Sequence, residues 1–145
     1  MKRWFMSLLV LAAIGASAAS ATATAGSAPT QERVTVLVKS DSEHARKGPD
    51  GKWHDAFLPA DFVLKAGRKT TVTFLNYDTG MHSLVAPGLN LNVLIPAAKG
   101  GKPGRASITL TVPKAGSYDW WCGSPCDSWA MTHNGYMRGS IVVKR

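Results

Sequence analysis

Phe62-Val63-Leu64-Lys65, the turn Ala66-Gly67, and then Thr70-Thr71-Val72-Thr73-Phe74-Leu75-Asn76 decide the fold class. Val72 and Phe74 point one way and Thr71 and Thr73 the other, the period-two alternation of a sheet with one buried face. The pattern returns in Ser107-Ile108-Thr109-Leu110-Thr111-Val112, which Pro113 ends. Working outward, Val34-Thr35-Val36-Leu37-Val38 is a β-branched run, and Met81-His82-Ser83-Leu84-Val85 follows a turn at residues 76–80. Ala115-Gly116 turns the chain into Tyr118-Asp119-Trp120-Trp121-Cys122, and Gly139-Ser140-Ile141-Val142-Val143 closes it. Short strands at close spacing, almost without helical periodicity, predict an all-β antiparallel sandwich or barrel with no internal repeat. Residues 40–52, with Gly48-Pro49-Asp50-Gly51, read as a loop, and His44 and His54 in or beside it read as solvated.

The start of the chain speaks to compartment. Lys2 and Arg3 precede the apolar run Leu8-Leu9-Val10-Leu11-Ala12-Ala13-Ile14, too short for the about 20 residues of a membrane span. A small-residue tract with A-x-A sites at Ala16-Ser17-Ala18, Ala21-Thr22-Ala23 and Ala23-Thr24-Ala25 follows. Residues 1–25 therefore read as a cleavable signal peptide, the cut site open, and the mature protein as periplasmic or secreted. Residues 26–61 supply an N-terminal strand and loop, and residues 62–145 the core of one domain of about 120 residues.

The formal charge is +8, falling to about +6 once Lys2 and Arg3 leave with the signal peptide. The basic residues are scattered, without the stripe and reading element that nucleic acid requires. Such a charge serves general solubility first; it also fits steering toward an acidic redox partner or an anionic membrane surface, so peripheral membrane association stays open.

Chemistry concentrates in Cys122-Gly-Ser-Pro-Cys126-Asp-Ser-Trp-Ala-Met-Thr-His133-Asn-Gly-Tyr-Met137, between the last two expected strands. Two cysteines in an oxidising compartment would by default pair, leaving a structural sandwich. That default does not call for a neighbouring imidazole and thioether, which together with thiolates form the donor set copper prefers. On one helix Cys122 and Met137 would stand about 22 Å apart, too far to share an ion. Gly123, Pro125 and Asn134-Gly135 break helices, so the segment folds back on itself, with Asp127-Ser128 capping a short turn through Met131. His82, at a turn-to-strand junction, is the missing distant donor. Zinc remains open for a Cys/His set. A thioredoxin-like oxidoreductase does not fit, because three residues separate the cysteines and no βαβ pattern surrounds them.

Asn76-Tyr-Asp-Thr-Gly-Met-His82, Ala115-Gly-Ser-Tyr-Asp-Trp-Trp-Cys122 and the following His/Met loop resemble the cupredoxins, Greek-key β-sandwiches. Within them the chain looks most like the binuclear CuA domain of cytochrome c oxidase subunit II and nitrous oxide reductase. Those domains place three residues between the cysteines and end the loop with His and Met; His82-Ser83-Leu84 and Met137-Arg138-Gly139 are similar too. The chain departs in one place, with six residues (127–132) between Cys126 and His133 where the families have three.

The resemblance implies one or two copper ions held by His82, Cys122, Cys126, His133 and Met137. In the binuclear form both cysteines bridge two coppers, each ion takes one histidine, and a carbonyl of Ser124 or Pro125 completes the set. In the mononuclear form one cysteine and both histidines form the trigonal set, with Met137 axial. Either implies an electron-transfer module, more than a catalyst by itself, with a cytochrome or oxidase as partner, needing no catalytic acid or base and extending to a subunit II-like role. Trp120, Trp121 and Trp129 are expected to pack and to shield the site. Met81 and Met131 keep open a copper carrier that delivers metal to an oxidase.

Overall fold

The alternation at residues 70–76 is realised as the spine of one sheet. The computed structural model describes residues 31–145 of the chain, so the leader expected over residues 1–25 lies outside the described part. Among the described residues the strands are β1 (Glu32–Lys39), β2 (Arg46–Lys47), β3 (Trp53–His54), β4 (Ala56–Leu58), β5 (Phe62–Lys65), β6 (Lys69–Asn76), β7 (His82–Ala86), β8 (Leu91–Ile95), β9 (Gly104–Thr111), β10 (Gly116–Trp121) and β11 (Arg138–Lys144). β6 buries Thr70, Val72, Phe74 and Asn76 on one face.

The strands form a four-stranded sheet, β4-β1-β6-β9, a five-stranded sheet, β5-β11-β10-β7-β8, and a small β2-β3 hairpin. The chain crosses repeatedly between the two larger sheets, the Greek-key sandwich expected. The sheets are mixed, however, rather than antiparallel throughout: β1 runs parallel to β6 and β11 parallel to β5. Parallel neighbours need crossover connections, and a strand's partner direction is not written in its own residues.

One core joins the sheets. The Phe57 ring on β4 meets Phe74 on β6 at 6.4 Å and Trp120 on β10 at 4.6 Å between centroids. Trp120 is buried and its indole N–H donates to the Ala60 carbonyl at 2.8 Å, the partner a buried tryptophan requires. Val36, Val38, Leu84, Ile95 and Ile141 complete the interior. No helix among the described residues is long and apolar enough to cross a membrane. The N-terminal segment is integral to this body, because β1 lies between β4 and β6. The functional end of the sandwich is where β6 ends, β7 begins and β10 passes into the 122–137 loop.

Candidate metal centre

A buried amide aims the first donor. Asn76 sends its side-chain N–H groups to the carbonyls of Gly80 (2.8 Å) and Pro96 (3.0 Å), and its Oδ1 accepts from the Asp78 N–H at 2.9 Å. With both ends satisfied it can be fully buried, and it shapes the turn that delivers Asp78 and His82. His82 opens β7 and is 2% exposed. Its Nε2 lies 2.8 Å from Asp78 Oδ2, while its Nδ1 faces Cys126 Sγ at 3.1 Å and Cys122 Sγ at 3.8 Å. Gly80 leaves room for this pair, since a Cβ there would stand 3.0 Å from Asp78 Oδ2.

The thiols come from the other side. The Cys122 N–H donates to the Met137 carbonyl at 2.8 Å, carrying the β10–β11 pairing one residue past Trp121 opposite Arg138. Cys122 and Met137, both fully buried, thus sit across one strand pair, where facing side chains are neighbours. The chain then lies down on β7: the Gly123 N–H donates to Ser83 Oγ at 2.9 Å, and Ser124 Oγ to the same oxygen at 3.2 Å. A Cβ at Gly123 would meet Val85 Cγ2 at 2.8 Å, so this contact demands glycine.

The tight return brings Cys126 Sγ to 2.6 Å from Cys122 Sγ, and the Ser124 carbonyl faces both sulfurs, at 3.1 and 3.6 Å. Both cysteines are free thiols. One atom each from His82, Cys122 and Cys126 lies within 4.8 Å of the others.

Charge is distributed unevenly in this cluster. The hydrogen bond from Cys126 pulls the Cys122 thiol well below its ordinary value; burial opposes the shift and His82 reinforces it. Cys126 is pushed up by its thiolate neighbour and by burial. Burial also disfavours a charged His82, but Cys122 and Asp78 outweigh it and raise the imidazole. Asp55 and Asp78 come within the same 4.8 Å of His82, so the ring has sulfur on one side and carboxylate on the other. Burial, the largest cause, raises the Asp55 carboxyl.

The remainder of the loop runs outward. The expected short turn exists as a 3-10 helix at Ala130–Thr132, and Asp127 Oδ1 accepts from the N–H groups of Trp129 (2.9 Å) and Ala130 (3.1 Å). His133 follows it and is exposed. Its ring stacks on Trp129 at 3.6 Å, and its Nδ1 donates to the Trp129 carbonyl at 2.7 Å. The structure therefore gathers His82, Cys122 and Cys126, sets Met137 beside Cys122, and leaves His133 at the surface.

His54 departs from the expectation of a solvated loop residue. It is 6% exposed, with Nδ1 2.6 Å from Asp127 Oδ2 and Nε2 3.1 Å from Asp50 Oδ2. Asp78 and Asn76 also went unread as site residues, although both lie in the segment that ends at His82. An acid four residues before a candidate ligand was the available signal.

A family model described as a cupredoxin-like domain matches residues 5–143. The chain belongs to the cupredoxin-like family. Among solved structures this cupredoxin is similar to a copper binding protein determined by NMR in the apo form, with 17% identity, 82% of this chain and 93% of that chain covered, and a TM-score of 0.53. It is similar to the metal-binding domain of the Cu(I)-exporting P-type ATPase CopA of Streptococcus pneumoniae D39, with 16% identity, coverage of 82% and 92%, and a TM-score of 0.52. Reduced rusticyanin matches with 25% identity, coverage of 80% and 82%, and a TM-score of 0.52. The first two likenesses are of fold. No curated protein sequence matches significantly.

Proposed function

We propose that this cupredoxin is an exported copper protein that passes single electrons to a redox partner such as a cytochrome or an oxidase. The observation that carries the reading is the convergence of two thiols, the Nδ1 of His82 and the Ser124 carbonyl at one end of the sandwich. Thiolate and imidazole are donors that copper favours, and the neighbours described as copper-binding are consistent with it. Copper, when bound, supplies a one-electron couple.

The chain's own residues do the rest. Asp78 accepts a hydrogen bond from His82 Nε2–H, which leaves the Nδ1 lone pair for a metal and fixes the ring plane. Cys122, with its lowered thiol, is ready to act as a thiolate. Met137, across the strand pair from Cys122, would offer a bound ion its thioether as a weak donor. His82 and Cys122 stand at strand ends held by ladder hydrogen bonds, so their spacing changes little when charge does.

The donors already gathered, with Met137, suit one ion. A pair of ions would draw on both cysteines and the Ser124 carbonyl, but the two thiols, 2.6 Å apart, would have to separate and His133 would have to leave Trp129. Copper delivery is the second reading, favoured by Met81, 49% exposed next to His82, and by the exposure of His133.

The test is the copper-to-protein ratio of the purified protein together with its electron resonance hyperfine pattern. Bound copper with intense thiolate absorption supports the reading, and the pattern distinguishes an electron held on one nucleus from one shared over two. A protein that retains no copper overturns it. Prompt surrender of the metal to a competing chelator selects the carrier.

A further inference from the structure

We propose that His54 is a positioning residue for the metal site: it clamps Asp127 and thereby holds the adjacent Cys126 against His82. The inference rests on the reading of Cys126 as a ligand. Its basis is the six-residue stretch between Cys126 and His133, which does not loop freely but is bound to the β2-β3 hairpin.

Asp127 is held at three points. Its Oδ2 meets His54 Nδ1 at 2.6 Å, its Oδ1 caps the turn at Trp129 and Ala130, and its carbonyl accepts from the Met131 N–H at 3.0 Å. His54 therefore grips the side chain of the residue that follows Cys126. The grip on His54 is equally firm. Asp50 takes Nε2 at 3.1–3.2 Å, and the ring stacks on Trp129 at 3.9 Å with 17° between planes.

The hairpin is itself tied to the far end of the ligand loop. Arg46, paired with His54 across β2 and β3, donates to the Gly135 carbonyl and lies over the Tyr136 ring at 5.2 Å. Tyr136 Oη donates to the Lys47 carbonyl at 3.0 Å, and the Phe57 N–H donates to the Tyr136 carbonyl at 3.0 Å. Both ends of the loop are thus pinned to residues 46–57, and the link nearest a thiol is His54–Asp127. Cys126 is only partly buried and lacks the strand ladder that fixes Cys122, so its place depends on that link.

The experiment compares His54→Asn, His54→Gln and Asp127→Asn with the wild-type chain. Asparagine presents its amide near the position of Nδ1 and can keep a bond to Asp127, whereas glutamine reaches the position of Nε2 and cannot. In the metal-free protein, alkylation of Cys126 by iodoacetamide, resolved by mass, should accelerate about 10–100-fold in His54→Gln, the scale of losing a group that orients a ligand, and less in His54→Asn. In the copper-loaded protein, release to a chelator should accelerate similarly and the thiolate absorption should shift.

A His54→Gln protein with a lower melting temperature but unchanged alkylation, spectrum and release would reduce His54 to a structural role and overturn the proposal. Should that variant fail to fold, Asp127→Asn decides by the same readouts. Failure of the wild-type protein to bind copper would overturn the functional reading and with it the ligand role of Cys126, whereas the alkylation comparison, which needs no metal, separately decides whether His54 holds Cys126 in place.

Discussion

Two histidines expected to serve alike, His82 and His133, end in opposite situations. His82 stands at the head of a strand paired on both sides, preceded by a turn that Asn76 organises, with one nitrogen on a carboxylate and the other on two thiols. His133 follows a single 3-10 turn, where the aromatic face of Trp129 and its carbonyl take the ring. The difference teaches that a donor is aimed by the backbone beneath it. A ladder fixes direction before any metal arrives, whereas a loop residue goes to whatever local partner is nearest.

The contrast breaks most sharply at the thiols. Cys122→Ser should abolish thiolate-to-copper absorption, because Cys122 is both the buried and the more acidic sulfur; visible spectra of the copper-loaded protein would show it, and a retained band would place the metal elsewhere. Next come the histidines themselves. His82→Ala should weaken copper binding by more than the about 10–100-fold that follows loss of a group hydrogen-bonded to a ligand, and His133→Ala by less. Competition with a chromophoric chelator measures both, and equal losses would erase the distinction drawn here.

Asp78→Asn sharpens the point from outside the donor set. It keeps the shape of the turn but turns a proton acceptor into an amide, and affinity should fall about 10–100-fold by the same titration. An unchanged affinity would mean that His82 is oriented by its strand alone.

The smallest effect concerns pH. Burial disfavours a charged His54, yet Asp127 and Asp50 outweigh it and raise its pKa, while both carboxyls are lowered. For Asp127, burial opposes that lowering and the His54 bond leads the causes that favour it. For Asp50 the leading cause is its bond from the Lys52 backbone. A raised imidazole stabilises the fold fully below its unfolded value of about 6.5 and loses that contribution as pH rises through its folded value. The carboxyls lose theirs only as pH falls toward and below 4. Arg46, paired with His54 across the hairpin, and Lys52 are the nearby basic side chains. The advantage of wild type over His54→Gln should therefore be greatest near pH 5–6, about 1–3 kcal/mol for the charge-assisted bond to Asp127, and should narrow by pH 9. Melting curves across that range check it, and a gap that widens with pH would reverse the assignment.

These particulars also show what a sequence displays. Residues 70–76 and 107–112 announced their strands because alternation is local, and β7 and β10 were legible from the turns before them. β4 and β8 were not, each being followed at once by proline, at Pro59 and Pro96. The parallel pairs depend on partners far along the chain. Cys122, Cys126 and His82 were legible as chemistry, since few reasons other than metal gather those side chains. His54 was not, because its burial comes from Asp127, 73 residues later, and nothing in its charged surroundings announces that partner.

X-ray absorption at the copper edge of the loaded protein tests the central claim most directly. The account predicts sulfur and imidazole nitrogen in the first coordination sphere, with the sulfur contribution falling in Cys126→Ser and the imidazole signature falling in His82→Ala. A sphere of oxygen and nitrogen alone, indifferent to both substitutions, would contradict it.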